Sequence, residues 1–412
     1  MLFPDRPFDD LHLRRCYSDL IQLFHRFVAL ERWQADDIQV QNALLETFSG
    51  AAYEKWHGAL SAKQMARFEK KTIIEGQAYY HRFRFFRQML KQKENTDNHK
   101  EGRSDLEQAD QNLESFFAIE KLRLVTDSLG YAYMMPERAE VGFPASLQSW
   151  LEESGLGENR LVQAYLMAVN LHQPGKGESA YYNLKELIIE ELDAFALDDR
   201  KALFIHLYNY CIVEKINKGD HHYYQELFEL FQIGLDQKIL MEQERLDAKT
   251  YRNIITVALR EEAFAWVEQF IRDYTRYLPE EEQKNALDYN LAKVFFHQRQ
   301  FERVIEQLSL VAYSDLQYAL GSRLLLLKTY FEMEETRSLD SLLEAFRIFL
   351  RRKSKLAKPV KDQYLHLLRM VRKLAFVQSF EKEKIRQVRH QIEASSSIEK
   401  NWLLEKADEM LA

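Results

Sequence analysis

The residues best equipped for chemistry in this chain are basic and aromatic, and they cluster in two places. Tyr79-Tyr80-His81-Arg82-Phe83-Arg84-Phe85-Phe86-Arg87 interleaves rings with guanidinium groups. Such rings stack on bases, while Arg82, Arg84 and Arg87 suit phosphates. The same stretch also reads as a core helix whose aromatics point inward and whose Arg84 and Arg87 are solvated. The second cluster runs over residues 347–373, with Arg351, Arg352 and Lys353 at its heart and only Asp362 opposing it. It suits RNA, DNA or an acidic protein, and equally the C-terminal ends of helices, where cations complement the dipole. Arg82, Arg84, Arg87, Arg351, Arg352 and Lys353 are therefore the candidate polyanion contacts.

Other chemistries find little support. Pro174-Gly175-Lys176-Gly177-Glu178-Ser179 holds the ingredients of a phosphate-binding loop in the wrong order and reads as a turn between helices. No two histidines stand four apart and there are two cysteines in all, so no metal site is expected; Asp220-His221-His222 reads as a solvated turn. His25, His206 and His297 lie beside apolar stripes and read as packing positions. Glu190-Glu191 and Glu280-Glu281-Glu282 suit solvated faces and a helix start after Pro279. No nucleophile elbow occurs. No cofactor and no catalytic set is expected.

The elements that must position these residues are helices. Among 412 residues there are only 13 Gly and 7 Pro, and the abundant types are those that lose little freedom in a helix. The formal net charge of -7 argues against bulk attraction to polyanions. No window holds the roughly 18 uninterrupted apolar residues of a membrane span. The first twenty residues lack the basic start and apolar run of a secretion signal, so the expected compartment is the cytoplasm. Cys16 and Cys211 each lie in an apolar-periodic stretch and read as small buried hydrophobes rather than a disulfide.

Leu13, Tyr17, Leu20, Phe24 and Phe27 form one apolar stripe, predicting a first long helix that packs along it; a second is expected from Ala62 to Lys93. Residues 94–107 carry almost no large apolar side chain and predict a mobile linker. Connecting helices follow over 108–158.

Beyond residue 159 one spacing recurs: an aromatic or Leu, then apolar residues three and seven places on. The instances are Tyr181-Leu184-Ile188, Tyr224-Leu227-Phe231, Phe264-Val267-Ile271, Phe301-Val304-Leu308 and Leu339-Leu342-Phe346, each after a polar turn and an earlier apolar helix. Such a face is covered by the preceding helix and by the next unit, which predicts a helical array over 159–349. Residues 350–412 then form basic capping helices.

Residues 285–310 resemble a tetratricopeptide repeat. Leu291, Ala292 and Phe295 stand where that family has a Leu, a small residue and an aromatic; Phe301, Val304 and Leu308 match its second helix. Val304 replaces a usual small residue, the terminal proline is missing and the period is longer than in the family. The remaining chain is similar to large helical proteins of Bacteroidetes bacteria, which implies a bacterial source and no activity.

The resemblance implies an all-α fold in which helix-turn-helix repeats stack as a right-handed tetratricopeptide-like superhelix, preceded by an N-terminal region (1–93) of long helices. It implies a non-catalytic scaffold with a groove for a protein or peptide, lined by first helices. Tyr208, Asn209, Asn253, Asn290, Lys293 and Lys328 are the candidate groove residues; in the family such positions often hold peptide carboxylates. Nucleic-acid association through the two basic clusters is the alternative, and an enzyme the third.

Overall fold

The computed structural model describes residues 10–70, 74–95, 99–131, 142–311, 316–353, 356–378, 380–395 and 397–412. Among them the chain is all-α apart from one two-residue hairpin and one isolated bridge. It divides into two compact units, residues 1–223 and 224–412, so the boundary falls inside the stretch that the sequence reads as one array.

The first unit holds α1 (Asp10–Gln34), α2 (Asp37–Thr47), α3 (Glu54–Lys70), α4 (Gly76–Asn95), α5 (His99–Tyr131), α6 (Ala145–Glu153), α7 (Arg160–Asn170), α8 (Gly177–Glu190) and α9 (Leu197–Asn209), the last running on into a π-helical turn at Tyr210–Lys215. Helix starts follow local chemistry. Asp36 caps α2 by accepting from the Ile38 and Gln39 amides, and Asn159 caps α7 by accepting from Leu161 and Val162.

Four expectations are corrected here. The single helix over 62–93 is broken: α3 closes at Lys70, and Ile74 instead makes a short parallel bridge with Phe195, its amide donating to the Ala194 carbonyl at 2.6 Å. The expected linker at 94–107 is helical wherever it is described, with 96–98 outside the described residues. Its Glu, Lys and Gln residues are good helix formers, and α4 lies antiparallel against α5, joined by a Lys93–Asp105 ion pair at 2.7 Å and a Tyr80–Phe116 ring contact at 5.2 Å. Low apolar content argues against burial, not against helix. The Leu13-to-Phe27 stripe of α1 is exposed throughout, and no α1 residue is buried. Cys16, on that helix, is consequently exposed, whereas Cys211 is buried; both are free thiols.

Gly177, in the Pro174–Ser179 turn, opens α8 because nothing larger fits. A Cβ there would stand 2.7 Å from the Leu171 carbonyl oxygen and 3.0 Å from the Tyr210 ring. Gly177→Ala is expected to cost about 1–3 kcal/mol through this overpacking. An unchanged thermal unfolding midpoint would contradict the reading.

The second unit holds α10 (Tyr223–Asp236, whose first residue ends the first unit), the hairpin β1 (Met241–Glu242) and β2 (Arg245–Leu246), then α11 (Ala248–Arg260), α12 (Phe264–Tyr274), α13 (Glu280–His297), α14 (Phe301–Ser309), α15 (Leu316–Glu332), α16 (Thr336–Arg352), α17 (Lys358–Ala375), α18 (Lys382–Glu393) and α19 (Lys400–Leu411). Burial follows the spacing seen in sequence. Leu227, Phe231, Val267, Ile271, Val304, Leu308, Leu339 and Phe346 are buried; Leu342 is only partly so.

One turn recurs in the hairpins α11–α12, α13–α14 and α15–α16. Glu262, Arg299 and Glu334 each adopt a left-handed φ, of 54°, 57° and 58°. The next amide then bonds back five residues, as Ala263 to Ala258, Gln300 to Phe295 and Glu335 to Tyr330, at 2.8 to 3.0 Å. That geometry satisfies carbonyls at each helix end and reverses the chain. The first helices α11, α13 and α15 pack side by side in order, and α17 to α19 pack beyond α16 on a core containing Phe346, Leu367, Val371, Trp402 and Leu403.

Candidate functional site

On α13, Tyr289, Lys293 and Phe296 recur at four- and three-residue steps and so share one face. On α15, Gly321, Leu324, Leu325, Lys328 and Glu332 do the same; α11 adds Thr256 and Arg260. With residues from Glu399 to Lys406 these line an open cleft of about 750 Å³. Three first helices therefore form its floor, and α19 forms its wall.

Lys328 donates to Glu399 at 2.9 Å and lies 5.3 Å from the Phe296 ring centre and 5.2 Å from that of Trp402. Lys406 reaches Glu332 at 2.9 Å and Glu409 at 2.8 Å, and the Trp402 indole donates to Glu332 at 3.1 Å. Glu399 itself sits at a left-handed φ of 57°, a conformation that costs a non-glycine residue about 1 kcal/mol or more. The turn thus aims its carboxylate at Lys328. Gly321 makes room for Tyr289, whose hydroxyl would lie 2.6 Å from a Cβ at that position.

Unlike Lys328 and Lys406, Lys293 has no ion-pair or hydrogen-bond partner for its ammonium among the described residues. The ammonium lies deep, although the residue as a whole keeps some exposure. Burial lowers its pKa to about 8; Glu399 opposes the shift, and Lys328 and Arg252 add to it. His297 at the exposed rim is held at about 4 by the surrounding protein, then by Lys293, Lys328 and Arg260. Burial pushes the Tyr289 phenol up, with Tyr364, Glu399 and Tyr318 contributing. Six cations and three carboxylates line the cleft, so it carries a positive excess. It offers one unpaired ammonium between aromatic walls, an arrangement that suits a carboxylate or another anion.

Of the residues expected in a groove, Lys293 and Lys328 meet here. Asn253 is exposed on α11 outside the cleft lining. Asn290 is buried and donates to the Ala286 carbonyl at 2.7 Å, which removes it from any groove. Tyr208, in the first unit, is likewise buried, its phenol pushed up by desolvation, and Asn209 beside it is half-buried. Sequence reasoning missed Tyr289, Glu399 and Trp402.

The candidate polyanion contacts are unevenly engaged. Arg82 donates to the Phe68 carbonyl at 3.0 Å with its guanidinium 5.5 Å from the Phe68 ring centre, and Arg84 is ion-paired with Glu46. Lys353 lies 5.3 Å from the Phe349 ring centre. Arg87, Arg351 and Arg352 are exposed. Phe85 and Phe86 are buried, so these rings of the first cluster pack inward rather than offering stacking surfaces.

Among the described residues no group of His, Cys, Asp and Glu is placed to hold a metal ion, and no helix is long and apolar enough to cross a membrane. Compared with family models, curated proteins and solved structures, the chain finds no match in any of the three.

Proposed function

We propose that this chain is a non-catalytic, tetratricopeptide-like scaffold of the cytoplasm whose second unit binds an acidic peptide segment of a partner protein in the cleft over α11, α13 and α15. The observation that carries the reading is Lys293: an ammonium held deep in an open cleft, with Lys328 beside it and no carboxylate of its own. Retaining such a group costs stability, and a ligand carboxylate would supply the missing partner. The side-by-side packing of three first helices supports the same reading, because stacked hairpins present those helices on a concave face. Aromatic walls at Phe296 and Trp402 give apolar area beside the charge, as peptide grooves generally do.

The test is a fluorescence-anisotropy titration of the full chain with labelled peptides rich in Asp and Glu, beside Lys-rich peptides of matched length. Saturable binding is expected for the acidic set alone, weakened about tenfold or more by Lys293→Ala. Equal binding of both sets, or an affinity untouched by that substitution, would remove the proposal.

A further inference from the structure

The least explained surface among the described residues is α1. From Leu13 to Trp33 it displays nine large apolar side chains that are 40–64% exposed, and it buries none. Together they amount to on the order of 900 Å² per chain, the area that each side of a stable two-chain interface buries. Single exposed leucines need no explanation; a continuous stripe of this size does.

The stripe has a heptad form. Leu13, Leu20 and Phe27 stand seven apart, and Cys16, Leu23 and Leu30 fall three residues after each, the pattern by which one helix seats its side chains between those of another. Tyr17 and Phe24 extend the seam on one flank. On the other flank are Asp19 and Arg26, neither of which has a partner within the described chain, whereas Asp10 is already paired with Arg14 at 2.8 Å. The polar face mixes Arg14, Arg15, Arg26 and Arg32 with Asp19 and Glu31, unlike the uniformly basic face of a helix that lies on anionic lipid.

We propose that α1 pairs antiparallel with the α1 of a second copy of this chain. In that register Leu20 meets Leu23 of the second copy, Leu13 meets Leu30, and Cys16 meets Phe27. Asp19 then reaches Arg26 of the second copy, twice by symmetry, and Tyr17 packs on Phe24 across the other flank. Asp19, Arg26 and both flanking rings are used. A parallel pair would set Arg26 beside Glu31 but Asp19 beside Phe24, leaving one carboxylate against a ring in each half of the seam. This pairing is independent of the peptide cleft, which lies in the other unit.

Sedimentation velocity of the full chain should give the mass of two chains, and Leu20→Glu/Phe27→Glu the mass of one with the helical circular-dichroism spectrum of a folded chain, since within one chain α1 buries no side chain. Asp19→Arg should weaken the dimer and Asp19→Arg/Arg26→Asp restore it. Mild oxidation with diamide should cross-link Phe27→Cys through Cys16 of the second copy, while the native chain stays uncross-linked. A one-chain mass for the native protein, whether free or floating with phosphatidylserine vesicles, would overturn the proposal. So would a dimer that survives Leu20→Glu/Phe27→Glu, or a native Cys16–Cys16 cross-link, which requires the parallel arrangement.

Discussion

Asp199→Ala is expected to remove about 3 kcal/mol of stability, a large fraction of what holds a unit of this size together. The carboxylate is 2% exposed and binds three helices into one. Arg123 of α5 donates to it at 2.6 Å, the Tyr165 hydroxyl of α7 donates to it at 2.6 Å, and Arg123 also reaches the Tyr165 oxygen at 3.2 Å. Burial opposes the charge on Arg123, yet its contacts with Tyr165 and Asp199 more than offset this and raise its pKa. Removing the carboxylate leaves the Tyr165 phenol and one arm of the Arg123 guanidinium facing a low-dielectric gap, although Arg123 keeps Glu120 at 2.8 Å, and the lost partner costs more than the pair contributes. Asp199→Asn keeps one acceptor and should cost less. Arg123→Met/Asp199→Leu should be milder than Asp199→Ala, because the one charge left without its partner, Glu120, is partly exposed to water. Urea unfolding followed by circular dichroism measures all three. Equal losses in the single and double variants would show that the charges are not coupled.

The helices were legible because apolar periodicity and helix-forming residues agree over most of the chain. At α1 that agreement misled: an amphipathic stripe states which face seeks cover, not whether the same chain supplies it, and there it does not. At 94–107 the error ran the other way, since a polar segment gains its order from the antiparallel α4–α5 pairing rather than from its own burial. The cleft was half legible. Lys293 and Lys328 lie on the open rows of their first helices, but Asn290, although polar, falls on the row of Ala286 and Val294, which is buried. One residue rotates a side chain by about 100°, enough to exchange groove for core. Glu399 and Trp402 lie 71 and 74 residues beyond their shared partner Lys328, a separation that no local pattern bridges.

The second large effect concerns Lys293, where function and stability should move in opposite directions. Its pKa in the folded chain is about 8, against an ordinary value of 10.5 regained on unfolding. Between these values the unfolded chain binds the extra proton, so this group's contribution to stability rises with pH from about 8 to 10.5; below 8 the full penalty for burying the ammonium is present. Lys293→Met keeps the length of the stem and removes the charge. It should therefore stabilise the unliganded chain near pH 7 by up to about 3 kcal/mol, less where water in the open cleft screens the amine, and the gain should shrink as pH rises toward 10.5. Peptide affinity should follow the opposite course. The native chain binds a carboxylate through the ammonium, so its dissociation constant should climb by up to about tenfold per pH unit above 8, while Lys293→Met binds weakly at every pH. The charged groups that set this window are Glu399, Lys328 and Arg252, and Lys328→Met should raise the pKa by removing a like charge while leaving Glu399 opposite. Denaturation midpoints and anisotropy titrations from pH 6.5 to 9.5, on the same preparations, separate the two quantities. A destabilised Lys293→Met, or a native affinity flat across that range, would mean that the amine is neither strained nor the anchor of the cleft.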